Sequence, residues 1–431
     1  MLALLGFLTI GVFLLAIFTK KLSVIVSLVI IPIIFGLIGG FGAEIGGLML
    51  DGLIQVAPTG IMLVFAIMYF GLMMDVGLFD PMIKKIIQIV KGDPLKVVMG
   101  TVFLAMIVHM DGNGSATFMI TVTAMLPIYE KLGMNRLILA GVVALGAGVM
   151  NMIPWGGPTA RAMTTLNAEA VDIFNPVIPA MVAGIAWVLV ASYLIGREER
   201  KRLGIIDIEK IDFNLELDEE TKKIRRPKLF YFNLLLTLLM LCALLLVWLP
   251  MPVVFIVGFI VALMVNYPKN ADQQARILSH AGNVLLVASM IFAAGIFTGI
   301  LNGTGMIGEM ASALVRLIPE SLGNYLPTIV AITSMPLSLV FTPDAYYFGV
   351  LPIISETASN LGINPHEIGR AAILGQMTVG FPLSPLTAAT FILIGLTKVD
   401  LFEHQKFIFK WAFGTTIVMT IVALLTGAIS I

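Results

Sequence analysis

Ionisable side chains are rare inside long apolar runs, so the few that this chain carries there mark where chemistry would be done. Asp111 sits in Met110-Asp111-Gly112-Asn113-Gly114-Ser115, and Asp344 sits in Thr342-Pro343-Asp344-Ala345-Tyr346-Tyr347. Each stretch joins an acid to helix-breaking residues, and in lipid both features survive mainly where they face a protein cavity. The two stretches are therefore read as halves of one binding site. At the first, Gly112 and Gly114 permit a left-handed backbone that turns the peptide groups around Asn113 toward a ligand. Ser115 and Thr117 open the returning arm, where free amides and the helix dipole favour an anion. Asp111 offers a carboxylate able to hold a proton or a cation. At the second stretch, Thr342 and Asp344 precede an arm in which Tyr346 can donate a hydrogen bond to a carboxylate. Capping of that arm by Asp344 is compatible with ligand binding at the same helix start.

Two further interruptions supply polar groups. Ile153-Pro154-Trp155-Gly156-Gly157-Pro158 exposes backbone groups, those of Gly157 among them, just before Thr159 and Arg161. The Arg161 guanidinium could grip a carboxylate through two parallel hydrogen bonds, or neutralise Asp111 or Asp344 in the empty protein. Phe381-Pro382-Leu383-Ser384-Pro385 brings Ser384, Thr387 and unwound carbonyls, suited to a hydroxyl-bearing substrate or a cation, or to a plain kink. Asn151 and Gln376 lie just before the two breaks and could bond freed backbone groups. His109 could relay protons or bond a neighbouring carbonyl. Asp75 and Asp80, near the end of their span, can reach water and are read as structural. The chain shows no Walker A loop, nucleophile elbow or metalloprotease spacing, so an enzyme is not expected.

Helices that cross a bilayer must position these groups. The chain is 59% hydrophobic and only 12% charged, with 26 basic and 26 acidic residues, which excludes an ordinary soluble domain and gives no reason to expect nucleic acid. Cys242 alone permits no intrachain disulfide. The first apolar stretch, 2–18, lacks a convincing cleavage site and is taken as a spanning helix. Stretches of about 17 to 25 apolar residues can cross a core of about 30 Å; they fall at 2–18, 22–43, 54–74, 137–170, 177–196, 229–249, 251–267, 283–302, 366–397 and 405–429. The spans 137–170 and 366–397 are overlong and proline-broken, hence discontinuous helices. Segments 95–130 and 325–358 consist of shorter pieces joined by the two opening motifs, hence re-entrant hairpins.

Basic residues orient the helices, because Lys and Arg collect in cytoplasmic loops. Treating 95–130 as a hairpin places 23 of the 26 basic residues on the cytoplasmic side, leaving Arg316 and Arg370 outside and Arg161 in the membrane. The expected fold class is therefore an all-α membrane protein with about ten spanning helices, two re-entrant hairpins, two broken helices and both termini outside. The halves also repeat. Leu126-Pro127-Ile128 recurs as Leu351-Pro352-Ile353, Leu132-Gly133 as Leu361-Gly362, and Pro158 answers Pro385 at nearly the same separation. Both halves order two spans, an amphipathic segment (80–92 and 304–318), a hairpin, a broken span and a last span. Five crossings per half invert the second copy, the plan of secondary transporters whose substrates bind at broken helices near the midplane. The repeats are 1–196 and 229–431, and 197–228 is a solvated cytoplasmic linker with ten bases and nine acids.

The stretches Asp111 to Thr117, Asn151 to Arg161, Phe341 to Gly349 and Phe381 to Pro385, together with Met1 to Gly40, resemble the citrate-metal:proton symporter family within the ion transporter superfamily. The resemblance covers essentially the whole chain. It implies proton-driven uptake, through a bacterial inner membrane, of citrate complexed with a divalent ion such as Mg²⁺ or Ca²⁺, with no permanently bound cofactor. It also implies a homodimer and an elevator-like shift. The hairpin tips lack the Ser-Asn-Thr triplets of sodium-coupled dicarboxylate transporters, which argues against sodium coupling. A proton- or sodium-coupled carrier of another carboxylate, gluconate or a dicarboxylate, is the alternative with the same fold. In the leading reading, Asp111 and Asp344 serve metal or proton coupling, and Asn113, Ser115, Thr117, Gly157, Thr159, Arg161, Thr342, Tyr346, Ser384 and Thr387 bind substrate.

Overall fold

An apolar chain in lipid has to satisfy its own backbone, and a helix does so within one segment. The computed structural model describes residues 1–90, 92–205, 219–246, 248–316 and 323–430, and every regular element among them is helical. Numbered in chain order, the first part holds α1 (Leu2–Phe18), α2 (Val24–Ile38), α3 (Ile45–Asp75), α4 (Asp80–Val90), α5 (Pro94–Val108), α6 (Gly114–Lys131), α7 (Arg136–Met150), α8 (Gly157–Leu166) and α9 (Ile178–Leu203). The second part holds α10 (Phe230–Leu245), α11 (Met251–Asn266), α12 (Asn270–Gly303), α13 (Met306–Val315), α14 (Leu326–Leu337), α15 (Leu351–Asn360), α16 (Pro365–Ile373), α17 (Ala388–Thr397) and α18 (Leu401–Leu425).

Six segments among the described residues are long and apolar enough to cross a membrane: Ile45–Asp75, Pro94–Asp111, Ala170–Leu203, Thr221–Leu244, Asn270–Gly303 and Leu401–Leu425. Five of them coincide with expected spans. The sixth, Pro94–Asp111, falls on the first arm of the expected hairpin, because a 3-10 turn at His109–Asp111 extends α5 to 18 residues. The other expected spans are occupied by shorter apolar helices, so length alone supports five of the ten crossings. Residues 206–218 of the expected linker, Lys91, and residues 317–318 of the expected amphipathic segment lie outside the described residues.

Local chemistry sets the helix starts. Side chains of Asp93, Asn113, Asn135, Asn364 and Asp400 each accept a hydrogen bond from a first-turn amide of α5, α6, α7, α16 and α18. Pro94 and Pro365 occupy first helical positions, where no amide donor is needed.

Packing then divides the helices by role. The long helices α3 and α12 lie together through small residues: a Cβ on Gly52 would fall 2.0 Å from the Gly295 carbonyl oxygen, so only glycine lets these backbones meet. With α1, α2 and α13, α12 forms a second apolar core around Phe13, Leu28 and Phe297. The main core surrounds α7, which is buried continuously from Ile138 to Val149. Helices α5, α6, α9 and α18 pack on it. At the end of α3, Arg225 donates to the carbonyls of Met74 and Asp75 and pairs with Asp80 at 3.0 Å, tying the segment before α10 to the α3–α4 turn. Burial pushes the Asp80 carboxyl above its ordinary range, against the pull of Arg225 and Lys84.

Candidate functional site

The site is assembled where helices stop. Between α5 and α6 the chain makes the 3-10 turn and then Gly112 at φ +73°, a left-handed conformation that a side chain would strain. The Asp111 carboxylate folds back onto this turn, with Oδ1 accepting the Asn113 amide at 2.8 Å. Asn113 Oδ1 in turn caps α6 by accepting from Ala116 N at 3.1 Å. Between α7 and α8, residues 151–156 form tight turns. The Trp155 indole donates to the Met110 carbonyl at 2.8 Å, locking this break to the first turn.

A cavity of about 630 Å³ opens beside these breaks. Asp111, Asn113, Gly157 and Arg161 line it on one side, and His280 and Asn283 of α12 line it on the other. Arg161 projects from α8 and donates from Nε to Asp344 Oδ1 at 2.7 Å, and from Nη1 to the Gly157 carbonyl at 3.2 Å. Both partners of this ion pair are largely withdrawn from solvent, with side-chain exposures of 18% and 12%. One guanidinium and two carboxylates therefore share one small region. His280 is itself held by Asp75, Nε2 to Oδ2 at 2.9 Å, and Arg276 reaches the same oxygen at 3.2 Å.

The remaining expected site residues divide. Ser384 and Thr387 line a separate narrow void with Ser338, Pro343 and Gln376; Met377 borders both this void and the main cavity. Ser384 Oγ accepts from Leu386 N, while the buried Thr387 hydroxyl and Gln376 Nε2 have no hydrogen-bond partner among the described residues. Thr342 caps the arm after it, its Oγ1 accepting from Ala345 N at 3.2 Å. Thr159 is buried and donates to the Met152 carbonyl. Tyr346 is buried against Tyr347, ring centroids 5.5 Å apart. Ser115 is not on the cavity wall, and Thr117 is fully buried beneath it.

Thr117 belongs to a chain of hydrogen bonds that links the breaks. Its hydroxyl lies 2.9 Å from His109 Nδ1, His109 Nε2 lies 3.1 Å from Asn151 Oδ1, and Asn151 Nδ2 donates to the Met377 carbonyl at 2.6 Å. His109 thus bonds two side chains and no neighbouring carbonyl. Met377 has φ +57°, a left-handed conformation uncommon for a side-chain-bearing residue, and its sulfur lies 3.6 Å from Arg161 Nη1. Sequence reasoning missed Met377, which carries no polar signal, and also His280 and Asn283, whose three-residue spacing on a long apolar helix was readable as one polar face. Asn151→Ala is expected to strand His109 and the Met377 carbonyl, costing roughly 2–5 kcal/mol of stability for two buried unsatisfied groups. A thermal unfolding shift of the purified protein in detergent measures it; an unchanged midpoint would contradict the linkage.

Long apolar helices around a largely apolar cavity, with Asp111 and Arg161 brought to its wall beside helix breaks, define a multi-pass membrane protein. The comparisons with known proteins narrow this. A family profile described as "Citrate transporter" matches residues 4–375, and the chain belongs to that family of secondary transporters. It is 55% identical over 430 residues to the "Citrate transporter" of Bacillus subtilis (strain 168), and 50% identical over 433 residues to the "Mg(2+)/citrate complex secondary transporter" of the same organism. Both alignments cover 100% of each chain. Among solved structures, the crystal structure of the Alcanivorax borkumensis YdaH transporter matches with a TM-score of 0.59 at 13% identity, covering 88% of this chain and 87% of that one. That likeness concerns the fold alone.

Proposed function

We propose that this protein imports citrate complexed with a divalent cation, Mg²⁺ or Ca²⁺ as cargo, driven by proton symport. The carrying observation is the Arg161–Asp344 pair at 2.7 Å beside a cavity that also holds Asp111. Free citrate, with three negative charges, would meet two carboxylates and one guanidinium. A metal complex has a net charge of −1 and fits a site in which a citrate carboxylate takes over Arg161. Asp344, released, then accepts a proton or touches the metal through oxygen, the donor that hard divalent cations prefer. The relative named for a Mg(2+)/citrate complex, at 50% identity, supports the metal.

The architecture proposed for this cycle is two inverted repeats, 1–196 and 229–431, with hairpins at 95–130 and 325–358 and broken helices at 137–170 and 366–397. Equivalent packing supports it: α5 and α6 both contact α7, and α14 and α15 both contact α16. Residues separated by nearly the repeat spacing also bond one another. Trp187 Nε1 donates to the Trp411 carbonyl at a separation of 224 residues, and Asn151 bonds Met377 at a separation of 226. Asp111, Asn113, Gly157 and Arg161 form the main subsite, and Ser384, Thr387 and Thr342 a second one across Met377. An elevator-like shift of these breaks against α3 and α12, in a homodimer of the bacterial inner membrane with both termini outside, completes the proposal.

The test is radiolabelled citrate uptake into proteoliposomes, varying divalent ion, chelator, sodium and pH gradient separately. Uptake is expected to need the divalent ion and an inward proton gradient, and to ignore sodium. Uptake that persists with chelator would replace the complex by a free carboxylate, and uptake that follows sodium would overturn proton coupling.

A further inference from the structure

Another cavity, of about 430 Å³ and sharing no lining residue with the first, lies between α4 and α5. Its floor is apolar, with Met82, Ile86 and Ile89 of α4 facing Met99, Phe103 and Ile107 of α5. Ile89 and Phe103 are 54% and 43% exposed, large apolar side chains left uncovered by the protein. Two exposed lysines, Lys85 and Lys96, stand on its rim. The acids beside them are already engaged: Asp80 pairs with Arg225 at 3.0 Å and Asp93 with Arg200 at 2.8 Å. Neither rim lysine has a partner among the described ion pairs.

The spacing along α5 is regular. Lys96, Met99, Phe103 and Ile107 follow one another at helical intervals of three or four, with Gly100 four residues after Lys96, so they form one stripe with the charge at one end. At 1.5 Å per residue that stripe is about 16 Å long, close to half of a hydrocarbon core of about 30 Å, the depth of one leaflet. Gly100 lies on the groove wall at about the middle of the stripe and adds no side chain there. Helix α4 carries lysines opposite an apolar face, the pattern of a helix lying in the membrane interface.

We propose that this groove is a binding site for an anionic phospholipid, with the headgroup phosphate between Lys85 and Lys96 and an acyl chain along the α5 stripe. Charge complementarity selects the occupant, because a zwitterionic lipid or a detergent fills the apolar floor equally well but gains little from two free ammonium groups. The lipid would brace α4 against α5, the helix that leads directly into the Asp111 turn.

Wild-type protein, the Lys85→Gln/Lys96→Gln variant and Gly100→Leu are placed in nanodiscs of mixed phosphatidylglycerol and phosphatidylcholine, extracted into mild detergent, and assayed for retained lipid by native mass spectrometry. The wild type is expected to retain phosphatidylglycerol in preference to phosphatidylcholine. The lysine variant should retain roughly tenfold less phosphatidylglycerol or lower still, with phosphatidylcholine unchanged, as loss of two surface cations predicts. Gly100→Leu, which keeps both lysines and fills the groove, should lose both lipids, and Lys85→Arg/Lys96→Arg should behave as wild type. Equal phosphatidylglycerol retention in wild type and lysine variant would overturn the proposal, as would retention without headgroup preference in the wild type.

Discussion

Arg161→Ala is expected to reduce citrate uptake by at least about 30-fold in kcat/KM, the lower end of the 2–5 kcal/mol that follows from truncating one partner of a buried charged contact. The same change should destabilise the empty protein, because Asp344 then loses the guanidinium 2.7 Å away and is left as an uncompensated buried charge. The double variant Arg161→Gln/Asp344→Asn separates the two effects. It should recover most of the thermal stability, since no lone charge remains, while uptake stays lost because no cation meets the substrate carboxylate. Binding measured by citrate-induced thermal stabilisation reads the affinity, and unfolding without citrate reads the structural part. A double variant that transports citrate normally would remove Arg161 from the site.

Asp111→Asn should eliminate proton-driven accumulation while leaving the turn intact. Asparagine keeps an oxygen able to accept the Asn113 amide, so the 2.8 Å bond that shapes the turn survives, but the side chain can no longer take up a proton or neutralise a metal. In proteoliposomes loaded with unlabelled metal-citrate, counterflow exchange separates binding from coupling. If Asp111 serves the proton alone, exchange persists and accumulation under a pH gradient fails. If it contacts the metal, both fail, and the loss is steepest at low divalent ion concentration. Accumulation at the wild-type rate in both Asp111→Asn and Asp344→Asn would refute the coupling role of these acids.

The two variants differ in what surrounds the acid. Asp111 is fixed by its own turn and faces the cavity, whereas Asp344 is held from across the molecule by Arg161. Asp344→Asn therefore also frees Arg161, which could bind an anion more tightly yet no longer exchange partners as the proton enters. The Asp111 change tests the proposed coupling role at an acid on the cavity wall, and the Asp344 change tests it at an acid paired with Arg161.

Much of this was legible in the chain. Apolar length and the absence of charge dictate membrane helices, since lipid leaves the backbone no other partner. Asp111 and Arg161 stood out because an ionised group in such a run is too costly to keep without a use or a partner. The helix interruptions at 151–156 and 374–387 were marked in part by Pro154, Pro382 and Pro385, since proline lacks the donor a helix ladder needs, but the second begins seven residues before the Phe381 to Pro385 stretch that flagged it. The open question of whether Arg161 serves a substrate or an internal acid was also correctly posed by charge counting, but not answered by it.

What the tertiary structure alone decided is which polar groups have partners. Thr117 and Thr159 look like ligand donors in the sequence, yet their hydroxyls are engaged by His109 and the Asn113 carbonyl and by the Met152 carbonyl. Met377, silent in the sequence, and His280, whose polar spacing with Asn283 gave no hint of a partner, reach the cavity because a left-handed turn and the close approach of α3 to α12 put them there. Composition and spacing set the cost of each group within its own segment. The partners that offset that cost come from segments some 180 to 226 residues away, as Arg161 with Asp344 and Asn151 with Met377 do, and only the packed fold brings those together.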